Sequence, residues 1–582
     1  MTRILGHTAV SLLVLLFLAP AGLSGQPAPF PYPSLEEREA FYKESHIALD
    51  KSRFLAAEST AAILAQEDFD VTRYFLDLEF VVNSRTVEGS VTITADSLIM
   101  GLQTATLDLY DNMAVSAVTT GGANLAHTHG GNVLQVTLDR PYDIGETFEI
   151  VVEYGGSPVS GSFGWNKYSQ FSEGEMVWSL SEPEGARTWW PCKDRPDDKA
   201  MVEAWYTVQN SWTATGNGVL TGTSKKGRKM TYMWQASYPL TTYLVSIAAT
   251  DYVSWSETYV DLLGNPMPVD HYVYPEDLAD AQESLNRTVD MLGFFAQLFG
   301  EYPFVDDKYG HSAFPFSGAM EHSTNTSYGY VLLNGGHNYD FIVAHELAHQ
   351  WWGDSVSPET WPDIWLNEGF ATHSEALWVE HEGGPEAYRD YMNSFWRANF
   401  SGPLYNPGSL FGSTVYDKGG WVQHTLRGVM GDAAFFNGLS NWYTGRQDGV
   451  GNTAQYQATM EAEYGASLDW FFQEWVYLQN SPRYEYGWTT ADLGTGAYRT
   501  WLRVNQVQTD AGTFTMPIKV TLVTGSGSEV RTVWNDTADQ DFTLDTTEPP
   551  LDLIFDEQDW ILKAEETEIT LNDLDLDGVP DR

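Results

Sequence analysis

Apolar and polar positions change their spacing along the chain, and each change marks a boundary. The first pattern is an eleven-residue run, AVSLLVLLFLA, from Ala9 to Ala19. Arg3 precedes it, and small, turn-prone residues follow from Pro20 to Gly25. Such a run is short for a bilayer span, so residues 1–25 read as a secretory signal peptide. The mature protein is then exported, periplasmic or extracellular, with no membrane span after cleavage. Four prolines between Pro27 and Pro33 predict a stiff linker, and Leu35, Phe41, Ile47 and Phe54 among charges predict helix up to about Gln66. Together these make a linker and helical segment over 26–67. From Asp68 the period becomes two: runs beginning at Tyr74 (YFLDLEFVV) and Ser90 (SVTIT) alternate and are broken by Gly121-Gly122 and Gly155-Gly156. That predicts an all-β domain over 68–255. A mostly helical period follows, for a domain over 256–480. Alternation returns, as in Ile518 to Val523, for a β-domain over 481–565, and residues 566–582 form an acidic tail. The whole reads as a multidomain α+β chain without a solenoid repeat.

Composition narrows the function classes. With 582 residues, 43% of them hydrophobic, several ordinary cores can form and global disorder is excluded. Thirty-one basic against 79 acidic residues leave a formal charge of −48, a field that repels phosphate and so argues against nucleic acid and anionic membrane surfaces. A single cysteine, Cys192, rules out an intrachain disulfide scaffold and cysteine-rich metal sites, and reads as structural.

Chemistry concentrates in HELAH, His345 to His349, within an apolar helical stretch that begins near Asn338 and stops at Gly353. Four residues apart on a helix, His345 and His349 project from one face and can meet one ion. Glu346 is rotated by one residue, close enough to hold a metal-bound water without ligating. Eighteen residues separate His349 from Glu368, in a second helix bounded by Pro362 and by Gly383-Gly384. Two histidines and one glutamate leave a fourth position open, a catalytic donor set that favours zinc, one per chain, over cobalt or manganese on the same ligands. Glu375 and Asp363 stand as candidates to orient the ligands, whereas His311, His322 and His373 are read as non-ligands.

With HELAH and the NEGFA segment around Glu368, three further stretches carry a resemblance. Gly318-Ala319-Met320-Glu321-His322 resembles an exopeptidase motif, GAMEN, with His322 in place of asparagine. Tyr416-Asp417-Lys418-Gly419 looks like a catalytic tyrosine segment, and Ala186 to Asp194 resembles an ARxxxPCxD stretch, with Glu182 five residues before Arg187. The chain from about residue 70 to 565 thus resembles the aminopeptidase N family of gluzincin metalloaminopeptidases. The resemblance implies an N-terminal β-domain, a thermolysin-like, mainly helical catalytic domain and a C-terminal β-sandwich. It implies Glu346 as the base that activates zinc-bound water and Tyr416 as the group stabilising the oxyanion. Glu321 and Glu182 would anchor the α-amine of a peptide with a free N-terminus, and the backbone at Gly318, Ala319 and Met320 would carry the peptide. Many relatives add a large helical domain, for which few residues remain after about 565, so the cleft is expected to be more open or closed by another subunit.

Other readings stay open at this point. A thermolysin-type endopeptidase would share the zinc site, an inactive peptide-binding scaffold would share the fold, and one branch of the family has an epoxide hydrolase activity. In the tail, Asp573, Asp575, Asp577 and Asp581 alternate around Gly578 and resemble a thrombospondin type 3 calcium repeat. Calcium there is the second metal the sequence brings forward, against a simple solvated acidic tail.

Overall fold

Alternation in Phe69–Val81 translates directly into a buried face. Phe69 and Val71 point inward, a bulge between Val71 and Arg73 shifts the phase, and Tyr74, Leu76, Leu78 and Phe80 then take over. The computed structural model describes residues 33, 35, 38, 65–166, 174–494 and 496–571. The signal peptide, most of the 26–67 segment and the tail aspartates Asp573, Asp575, Asp577 and Asp581 lie outside the described residues. Phe69–Val81 runs near the middle of an eight-stranded sheet. It pairs antiparallel with Thr86–Ser97, setting Tyr74 opposite Ile93 and Leu76 opposite Val91, and parallel with Met201–Gln209. Trp189, Trp190 and Cys192, all fully buried, pack with Ile150, Val152 and Tyr206 in the core of this unit. Each large apolar side chain buried in this way contributes about 1.5–3 kcal/mol.

Beyond Thr250, after two smaller sheets in the first unit, a five-stranded sheet begins. Its five strands lie in the order Val253–Val260, Pro266–Val273, Tyr309–Phe314, Thr326–Gly329 and Ala319–Met320. The short strand Ala319–Met320 is therefore an edge. Helices follow: α1 (Leu278–Ser284), α2 (Thr288–Phe299), α3 (Asp340–Ala348), α4 (Trp365–Ser394), α5 (Gly419–Met430), α6 (Asp432–Thr444), α7 (Thr453–Tyr464) and α8 (Asp469–Phe472). Where the sequence ends a helix at Gly383-Gly384, the chain kinks at Gly384 (φ 80°) and resumes through Pro385 to Ser394. Glycine supplies the positive φ, and proline suits the first turn of the new helical piece.

Two facing sheets close the described chain. One orders Asp539–Thr546, Tyr498–Gln506, Arg483–Asp492 and Glu565–Glu568; the other orders Gly527–Asn535, Met516–Thr524 and Asp552–Phe555. Tyr484, Leu502, Val504, Ile518, Val520 and Phe555 fill the space between them, in a core continuous with that of the helices. The Trp475 and Phe514 rings, 4.8 Å apart, and the Trp470 and Trp534 rings, 5.3 Å apart, form the junction. Among the described residues no helix is long and apolar enough to cross a membrane.

Candidate metal centre

Helix α3 is buried on every side, and its last turn delivers His345; His349 caps its end. Helix α4 brings Glu368 in its first turn. Nε2 of each histidine lies 3.3 Å from Glu368 Oε2, and the three donor atoms fall within 4.8 Å of one another. The opposite ring nitrogens are engaged. His345 Nδ1 donates to Glu375 Oε1 at 2.7 Å, and His349 Nδ1 donates to the Trp352 carbonyl at 2.9 Å. Those bonds fix the tautomer that leaves both Nε2 lone pairs facing the same point. Glu375 sits two helical turns after Glu368, on the same face of α4.

The electrostatics favour a cation at that point. Burial opposes a charge on His345, yet its hydrogen bonds to Glu368 and Glu375 hold it up to about 9. Burial likewise opposes charge on His349, and the charges of Glu321 and Glu368 raise it well above the usual imidazole range. Glu368 is driven the other way: burial would raise it, but His349 and His345 hold it well below the carboxylate range. A pocket that pulls protons onto two imidazoles is one that a dication satisfies better, and two histidines with one carboxylate suit zinc.

Around the triad stand the other residues singled out in the sequence. Glu346 is buried, its Oε2 without a hydrogen-bond partner among the described residues, and burial pushes its carboxyl up to about 8. Glu321 follows the edge strand Ala319–Met320; burial raises its carboxyl too, against the charge of His349. Tyr416, in the π-helical turn Thr414–Lys418, donates to Glu368 Oε1 at 2.7 Å. Burial and the charges of Glu368, Glu182 and Glu321 hold its hydroxyl well above 10, so it keeps its proton. Glu182 and Glu321 are buried as well, near enough for their charges to be felt at the Tyr416 hydroxyl. Gly318 accepts from Gly329 N at 2.9 Å, and Ala319 and Met320 pair with Tyr328 and Ser327.

Several candidates sit elsewhere. Asp363 accepts from the Thr453 amide and hydroxyl, both at 2.8 Å, and from Thr360; it ties the turn before α4 to the start of α7 and does not reach the ligands. His311 faces His271, His373 bonds Tyr388, and His322 Nδ1 bonds Ser327 Oγ at 2.8 Å, which is how the histidine in place of asparagine is braced. Cys192 is buried, and its backbone bridges to Asp108. Sequence reasoning missed Gln350. Its amide donates to the Glu321 carbonyl and to Asp354, both at 2.9 Å, while its Oε1 accepts from Thr324 N, so it fixes the backbone of Glu321 from behind. A polar residue directly after HELAH, inside an apolar stretch, was the available signal. Arg38 and Asp417 were missed as well.

Known proteins resemble the chain in sequence and in fold. The model of the peptidase M1 N-terminal domain matches residues 70–244, and that of the peptidase family M1 domain matches residues 283–475. The chain belongs to peptidase family M1. It is 28% identical over 332 residues to endoplasmic reticulum aminopeptidase 1 of Homo sapiens, covering 52% of this chain and 34% of that protein. Glutamyl aminopeptidase of Rattus norvegicus is 31% identical over 271 residues, 43% of this chain and 28% of that one. Leukotriene A-4 hydrolase of Xenopus laevis is 24% identical over 427 residues, 66% of each. The chain thus spans from under a third to about two thirds of these curated relatives. Among solved structures, a mutant M1 zinc metallopeptidase from Deinococcus radiodurans bound to a Tyr-Ser-Ala substrate aligns with a TM-score of 0.63 at 26% identity, over 72% of this chain and 96% of that one.

Proposed function

We propose that this M1 family member is an exported, zinc-dependent aminopeptidase that removes single residues from peptides with a free N-terminus. His345, His349 and Glu368 would hold the ion. Bound there, zinc supplies Lewis acidity: it acidifies a water and polarises the scissile carbonyl. The remaining work falls to side chains. Glu346, buried beside the triad, takes the proton of the attacking water and passes it to the leaving amine. Tyr416 donates a hydrogen bond from its hydroxyl to the oxygen on which negative charge develops. Gly318 to Met320 offer an unpaired strand edge along which an extended peptide can lie.

The observation that carries the exopeptidase reading is Glu321, a buried carboxylate beside the triad whose Oε1 has no hydrogen-bond partner among the described residues. A substrate ammonium completes such a group with charge-assisted hydrogen bonds, and the buried Glu182 would add a second carboxylate to hold it. Acetylating the amine removes the charge and leaves the carboxylates crowded and unpaired, so discrimination should reach ~10²-fold or more. The test is a paired digest read by mass spectrometry. The free peptide is expected to shorten one residue at a time while its acetylated twin survives. Internal cleavage of the acetylated peptide at a comparable rate makes the chain an endopeptidase; no cleavage of either by zinc-loaded protein makes it a binding scaffold. Glu346→Gln is expected to keep zinc and lose turnover.

A further inference from the structure

Arg38 lies on the sequence before residue 70, where the match to the family begins, yet its side chain is 1% exposed. A guanidinium stays charged at any working pH, and burying one is strongly unfavourable unless carboxylates answer it. Here they do. Arg38 Nη1 donates to Glu375 Oε2 at 2.8 Å and to the Tyr391 hydroxyl at 2.9 Å. Nε lies 3.6 Å from Asp417 Oδ1, and the guanidinium sits 4.5 Å over the Phe395 ring. Both carboxylates lead into the metal centre. Glu375 uses its other oxygen to hold His345 Nδ1, and Asp417 is the residue after Tyr416.

We propose that Arg38 is a positioning residue of the metal centre, supplied by a segment outside the family's matched domains. It fixes the Glu375 carboxylate so that His345 Nε2 faces the other ligands. The Glu375 arm is where its loss should be felt, because Asp417 keeps Arg397, which donates to Asp417 Oδ2 at 3.1 Å. Glu375 keeps the Tyr391 hydroxyl on the same oxygen and His345 on the other, but loses the buried cation that answers its charge and holds it in place. Losing the partner that orients a ligating histidine typically weakens metal retention by about 10–100-fold.

This inference rests on the zinc reading above, and the experiment separates the two. In the full chain, zinc transfer to a chromophoric chelator is followed for wild type, Arg38→Ala, Glu375→Gln and the double variant, with Arg38→Lys as the conservative change. Arg38→Ala is expected to release zinc at least ~10-fold faster. Arg38→Lys should fall between it and wild type. The double variant should be no worse than the worse single one, because Arg38 acts through Glu375. On peptide, kcat should fall with KM little changed. Release by folded Arg38→Ala within about twofold of wild type, or single effects that multiply in the double variant, overturns the proposal. If Arg38→Ala does not fold, Arg38→Gln is judged by the same criterion. Wild-type protein that holds no zinc overturns the metallopeptidase reading and this one with it; zinc-loaded wild type with an indifferent Arg38 overturns this one alone.

Discussion

Tyr416 is the residue whose surroundings most constrain what it can do. Burial and three carboxylates keep its hydroxyl protonated, so it serves as a hydrogen-bond donor, and in the structure it donates to Glu368. Tyr416→Phe keeps the ring stacked 5.8 Å from His345 and removes the donor alone. If the hydroxyl acts only on the developing oxyanion, kcat falls by roughly 10²–10³ while KM and zinc content hold. Steady-state kinetics on zinc-loaded variant protein reads this, and a near-normal kcat assigns the role to another donor. Part of the site was legible in sequence for a local reason. His345 and His349 share a helix face by spacing, and Glu375 follows Glu368 by two turns, so a periodicity places each pair. Arg38 meets Glu375 across 337 positions, and no local pattern encodes such a contact. Asp363, close to Glu368 in sequence, faces Thr453 instead, because proximity along the chain does not set direction.

Between elements, the contact that sets the site is glycine on glycine. A Cβ on Gly369 of α4 would stand 2.8 Å from Gly419 Cα of α5, and one on Gly419 would stand 2.7 Å from Gly369 Cα. Backbone meets backbone, so neither clash can be relieved by rotating a side chain. Glu368 immediately precedes one glycine and Tyr416 precedes the other by three, which is why their 2.7 Å bond can form at all. Gly419→Ala should push α5 off α4 and cost about 1–3 kcal/mol by overpacking. The displacement falls on the tyrosine, so kcat should drop between tenfold and ~10²-fold with zinc retained. Gly408→Ala, whose added carbon meets nothing within 4 Å, is the control. Thermal melts with zinc content and kcat decide it: an unchanged kcat in Gly419→Ala means the helices tolerate separation. Strand and helix periods in the sequence predicted the element types on either side of this contact. They could not predict the contact, nor the bulge at Val71, because both depend on which neighbour each element meets.

At the scale of the molecule, packing divides the described chain into two cores although the sequence pattern shows three stretches. One core belongs to the strands from Phe69 to Ala249. The other runs without a break from the five-stranded sheet through the helices into the two C-terminal sheets, and takes in Met176, Leu180, Tyr243 and Leu244 from the first unit. Links between the two units include polar ones. Lys199 Nζ donates to the Asp354 and Ser355 carbonyls at 2.7 Å, and Asn217 Nδ2 donates to the Ser323 carbonyl at 2.9 Å. Calorimetry should therefore resolve two unfolding units, with residues 481–571 melting together with the helices rather than on their own. The metal ligands all lie in the second unit. Zinc bound to the native state and not to the unfolded one stabilises that unit by about 4 kcal/mol at a thousand times its Kd. For a unit of this size that corresponds to a shift of roughly 5–10 °C. Chelation should move one transition down by that amount and leave the other in place, and restoring zinc should reverse it. A third transition that ignores chelator would mean that the C-terminal sheets form an independent domain. Two transitions that fall together would mean that the polar seam at Lys199 and Asn217 couples the units as strongly as the shared core does.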